Sequence, residues 1–126
     1  MKVALFLAPA VILAIIAGCS PGDITSPNQI VFPAKNVSFK AEVQPYLTLA
    51  CNNPGCHDVG TQSGGVDLSS YISIINTPNL AIPHDTTSLL VQVLDAGTYH
   101  PVGQIIANDN QRAGIRQWIL EGALDN

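Results

Sequence analysis

The chain has 126 residues, of which 47% are hydrophobic and only 11% charged, with a formal net charge of -4; this length fits one small domain with appendages. So large an apolar share excludes a disordered chain. The acid excess, with no cluster of Lys or Arg, excludes a nucleic-acid surface, which requires concentrated positive charge.

The first stretch reads as a processing signal. Met1-Lys2 leads into an almost wholly apolar run from Val3 to Ile16, closed by Ile16-Ala17-Gly18-Cys19. Small residues directly before a Cys look like the lipobox of bacterial lipoproteins, in which the leader is cut ahead of the Cys and its thiol carries lipid. The apolar run contains Pro9 and is shorter than the roughly 20 residues that a spanning helix needs. Residues 1–18 are therefore expected to be a signal peptide and Cys19 the lipidation site. The mature chain would be lipid-anchored in the cell envelope, on a periplasmic or outer-membrane surface, and Ser20 favours outer-membrane sorting.

Residues 19–36 are rich in Pro, Ser, Thr, Asn and Gly, with Ile30-Val31-Phe32 the only apolar run. They are expected to form a flexible tether without regular structure, with Phe32 against the core. The domain then spans 37–126. Ser38 reads as an N-cap, with Glu42 close to the reciprocal position of a capping box, and Phe39, Val43, Tyr46 and Leu47 recur at helical spacing. This helix carries Pro45, where a bend is expected, and leads into Cys51.

Thr61 to Gly65 is a loop. Ser69 is expected to cap a short helix through Tyr71, Ile72, Ile74 and Ile75 that stops at Asn76-Thr77-Pro78. Leu80 to Asp85 is irregular around Pro83. Thr86 or Thr87 is expected to cap a helix with Leu89, Leu90, Val93 and Leu94, ending near Gly97. A loop at Tyr99-His100-Pro101-Val102-Gly103 precedes the clearest helix, which starts in Asn108 to Asn110, carries Ile115, Trp118 and Ile119 on one stripe and ends at Gly122. The fold class is all-α, with short helices and long loops. Such a chain buries a limited core.

Chemistry concentrates in Cys51-Asn52-Asn53-Pro54-Gly55-Cys56-His57, within a chain of three Cys and three His. A Cys-x-x-Cys-His run reads as covalent c-type haem attachment, with the thiols on the vinyl groups and the His on iron. Here four residues separate the thiols. Asn52-Asn53-Pro54-Gly55 can absorb the two extra residues in a tight turn, because Asn and Gly tolerate positive φ and Pro fixes its own. Two other readings stand beside haem. A Cys51–Cys56 disulfide suits an exported protein; a zinc site would have to draw on His84, His100 and carboxylates for its remaining ligands.

From Ser38 to Ala123 the chain resembles a small c-type cytochrome, and more closely the cytochrome c-like domain first described in planctomycete proteins. The parts that carry the resemblance come in the family's order: Ser38-Phe39 through Gln44-Pro45-Tyr46, the motif Cys51 to His57, Gly64-Gly65-Val66-Asp67-Leu68, Ser88-Leu89-Leu90, and Trp118-Ile119-Leu120-Glu121-Gly122-Ala123. The resemblance implies an all-α cytochrome c-like fold around one covalent haem c, held by Cys51 and Cys56 with His57 as the proximal iron ligand. The family's distal ligand is a Met-Pro methionine. This chain has His100-Pro101 at that place, and its one Met is Met1.

Three arrangements remain for the sixth position: His100, His84 in Pro83-His84-Asp85, or an open site. His100 at the family's ligand position gives bis-histidine ligation by His57 and His100. Imidazole favours ferric iron relative to a thioether and so lowers the potential. With both axial positions filled, the expected activity is single-electron transfer between redox protein partners, without bond chemistry on a substrate. The alternatives are a haem-free lipoprotein interaction module with a Cys51–Cys56 disulfide and an open-site, peroxidase-like enzyme.

Overall fold

The computed structural model describes residues 22–95, 100 and 107–126. The expected signal peptide, Cys19, Gly97, and the loop residues around His100 lie outside these. Among the described residues the secondary structure is helical without strands: a π-helical turn at Phe39–Val43 running into α1 (Gln44–Ala50), then α2 (Tyr71–Asn76), α3 (Leu89–Leu94) and α4 (Asp109–Leu120), with short 3-10 turns at Pro27–Gln29 and Ser63–Gly65. No described helix is long and apolar enough to cross a membrane.

The helix entry at Ser38 forms with one change of register. Ser38 Oγ accepts the Ala41 amide at 3.1 Å, and Glu42 Oε2 accepts the Ser38 amide at 2.8 Å. The Val43 amide reaches back to the Ser38 carbonyl at 3.2 Å, so the first turn is wound one residue wide. Glu42 thereby does at the fourth position what a capping box places at the third. The winding tightens to α at Gln44-Pro45, where Pro45 has no amide to donate.

Two caps differ from expectation. Ser70, not Ser69, caps α2, its Oγ accepting the Ser73 amide at 3.2 Å; the Ser69 amide is taken by Asp67 Oδ1 at 2.8 Å. At α3 neither Thr86 nor Thr87 caps. The Leu89 and Leu90 amides are met by the carbonyls of Asn79 and Leu80 at 2.8 and 3.0 Å, which satisfies the helix start from a neighbouring loop. Ser88 is free to bind Asp85 O and the Ile82 amide. The inward face of α3 is Leu90, Val91 and Leu94.

Helix α4 is the axle of the domain. Asn108 and Gln111 cap it reciprocally, each side chain accepting the other's amide at 3.0 Å. Gly122, at φ +103°, ends it, with the Gly122 amide on Ile119 O and the Ala123 amide on Trp118 O, the paired bonds of a Schellman close. Ile115, Trp118 and Ile119 are fully buried. Phe39 lies between Trp118 and Tyr71, with ring centres 5.6 and 5.2 Å apart. Each such large apolar side chain contributes about 1.5–3 kcal/mol by leaving water.

The stretch expected to be a tether is partly domain. Ile30 and Phe32 are 4% and 3% exposed. Phe32 exchanges two hydrogen bonds with the side chain of Asn110, at 2.8 and 2.9 Å, and the Pro27 carbonyl accepts Gln111 Nε2 at 2.6 Å. Apolar residues at alternate positions, 30 and 32, let an extended chain lie on α4 with Val31 pointing to solvent. The packed domain therefore takes in residues from Pro27 onward.

Candidate functional site

Helix α1 delivers Cys51 at its C-terminal end, and the next six residues fold the motif back on it. The Cys56 amide donates to Asn53 O at 2.9 Å, and Gly55 adopts φ +87°. Pro54 and Gly55 are thus the central pair of a tight turn of type II pattern, which demands positive φ at its third residue. The spacer turns as its composition predicts. The His57 amide then closes on the Cys51 carbonyl at 3.2 Å, so both thiols and the imidazole belong to one compact loop.

The loop is braced from outside. The Gly55 amide donates to Thr61 Oγ1 at 3.1 Å, the Ser63 amide to Cys56 O at 2.9 Å, and the Leu68 amide to His57 O at 2.9 Å. Asp58, which accepts the Gly60 amide, is held below the ordinary carboxylate range chiefly by the Thr61 hydroxyl and by backbone amides.

Cys51 and Cys56 are both free thiols, Cys51 buried and Cys56 half-buried. Burial, with a smaller contribution from nearby Cys56, pushes the Cys51 thiol up to about 12. It is a protonated thiol at neutral pH, packed in the same core as Tyr46 and Leu47. Desolvation likewise raises the Tyr46 phenol, with the charge of Cys51 adding to it and Arg112 opposing.

His57 is oriented by its backbone neighbours. Its Nδ1 lies 3.3 Å from the Val66 carbonyl; a carbonyl only accepts, so in the neutral ring Nδ1 carries the proton and Nε2 keeps a lone pair. That is how a metal-binding histidine is set by an outer hydrogen bond. Val66 belongs to the Gly64-Gly65-Val66-Asp67-Leu68 segment, whose turn uses positive φ at Gln62, Gly64 and Gly65. The segment contributes this carbonyl and the Leu68 amide to His57, backbone groups that nothing in the side-chain pattern signals.

The structure brings His100 to His57. Their ring centres are 6.1 Å apart with planes inclined by 62°. This is an edge-type contact of neighbouring rings, and it puts two imidazoles within reach of one another. Among the described residues the buried His100 Nδ1 has no hydrogen-bond partner, a costly state for a ring nitrogen unless something else engages it. Two free thiols and two imidazoles are the residue types that would attach and ligate a covalent bis-histidine haem.

His84 is employed elsewhere. It sits at φ +64° against the end of α4, its amide donating to Ile119 O at 2.8 Å and its Nδ1 2.8 Å from Leu120 O. Both of its polar contacts serve carbonyls at the end of that helix. Among the described residues no three His, Cys, Asp or Glu side chains gather to hold a metal ion.

The fold and site together define a small helical domain organised on a Cys-Cys-His loop with a second histidine facing it. Comparison with protein-family models, with curated proteins and with solved structures returned no match.

Proposed function

We propose that the chain is a membrane-tethered, monohaem c-type cytochrome that passes single electrons outside the cytoplasm. The observation that carries this reading is the neighbouring pair of imidazoles, His57 and His100, with ring centres 6.1 Å apart, in a chain whose His57 loop also holds two free thiols. Cys51 and Cys56 would hold the macrocycle and His57 and His100 the iron, on a cytochrome c-like arrangement of helices. When bound, the haem supplies a one-electron iron couple. The chain's part is to orient His57 through Val66 O, to keep the thiol edge dry around Cys51, and to present the loop at the end of α1. Two nitrogen ligands favour the ferric state and so a lower potential than a thioether would give.

The reading implies transient redox protein partners, which use small interfaces, and a lipid anchor at Cys19 that keeps the domain at a membrane surface. The test is a pyridine haemochrome spectrum with intact mass on the chain exported alongside c-haem maturation. A thioether-type spectrum and one added haem mass are expected. A colourless protein two hydrogens short would indicate a Cys51–Cys56 disulfide and an interaction module instead.

A further inference from the structure

An open groove of about 290 Å³ is lined by Ile24, Gln44, Pro45, Thr48 and Leu49. It lies between the start of the described chain and the outer face of α1. None of the lining side chains is charged. We propose that this groove face seats against the uncharged or zwitterionic surface of the lipid bilayer to which the chain is anchored. The inference rests on the lipid-anchor reading of Cys19.

The length of chain leading to the groove selects its occupant. Ile24, which lines the rim and is 51% exposed, follows Cys19 by five residues, which span at most about 17 Å when fully extended. A domain of about 100 residues is roughly 30 Å across. The leash is therefore shorter than the domain is wide, and the rim of the groove is held within one leash length of the anchor. The docking of Pro27, Ile30 and Phe32 on α4 enforces this, because it removes residues 27–36 from the free linker.

A few apolar side chains suffice for such a contact, since anchoring makes the encounter intramolecular and supplies a high effective concentration. Charge defines the lipid. Asp23, exposed beside Ile24, opposes anionic headgroups, and no Lys or Arg lines the groove to attract them.

The full, lipidated chain is reconstituted in phosphatidylcholine vesicles carrying a fraction of lipid with a diazirine near the headgroup, irradiated, and mapped by mass spectrometry. The α1 peptide, 44–50, is the informative one, because 22–29 meets lipid through the leash alone. Adducts on 44–50 several-fold above those on α2, where Ile72 is 64% exposed, are expected. Their loss in Thr48→Asp, which charges an exposed groove position, is expected too, as is their survival in Thr48→Ser. Equal labelling of α1 and α2 while intact mass shows lipid on Cys19 overturns the proposal alone. Protection of 44–50 from labelling by a second copy or another protein, seen as protein cross-links there, also overturns it. An unmodified Cys19 removes the anchor reading and this inference with it.

Discussion

Gly114 lies in the middle of α4 with Phe32 on top of it, so a Cβ added there would collide with the Cβ, Cγ and Cδ1 of that ring. The backbone of α4 cannot yield, because Ile115, Trp118 and Ile119 fix it in the core. In Gly114→Ala the ring must therefore leave, taking with it the two bonds to Asn110 and the edge contact to Tyr46 at 5.8 Å. Losing a buried Phe costs about 3–5 kcal/mol, and the gain in helix propensity from Gly to Ala returns about 1 kcal/mol. The net expectation is a loss of about 2–4 kcal/mol, or roughly 10 °C or more in Tm for a domain of this size. Urea and thermal melts of the purified protein measure it. In a Phe32→Gly background the sign should reverse, since the ring and its Cβ are both gone and only the propensity term of about 1 kcal/mol remains. A Gly114→Ala protein as stable as the parent, or an unchanged cost in the double variant, would refute the docking of residues 30–32 on α4.

Glu121 accepts the amides of Asn36 and Val37 at 2.8 and 2.9 Å, and its carboxyl is held below the usual range first by the Gln117 side-chain amide and then by these two. Its contribution is present above the unfolded pKa and lost as pH falls through the lowered folded value. Denaturation at pH 6 and pH 3 should show that loss, and Glu121→Gln should remove about 1 kcal/mol at neutral pH, discounted for exposure, together with that part of the slope. With its thiol pushed up to about 12, Cys51 in haem-free protein should alkylate at pH 8 at least about tenfold slower than in the urea-unfolded chain. Tandem mass spectrometry of the labelled sites reads this, and equal rates would contradict the burial of Cys51. In holoprotein, His100→Met should raise the reduction potential with six-coordination kept, and an unchanged potential in redox titration would remove His100 from the iron. Ser38→Ala should cost about 1 kcal/mol in urea melts through loss of the Ala41 cap.

Local chemistry made much of this molecule legible without coordinates. The Pro54-Gly55 turn, the Asn108 cap, the Gly122 stop and the stripe of Ile115, Trp118 and Ile119 all rest on preferences that act within a few residues. The Cys51 to His57 motif belongs with them, since its chemistry lies in residue types at short spacing. Three features came only from the tertiary structure. The loop carbonyls of Asn79 and Leu80 cap α3 across sequence, Phe32 finds its seat on a glycine 82 positions away, and the Val66 carbonyl orients His57. Backbone groups look alike in every residue, so no pattern marks which carbonyl will face a helix end or an imidazole. The two remaining histidines separate for the same reason. His84 and His100 offer the same ring, and only packing sets one against the end of α4 and the other against His57.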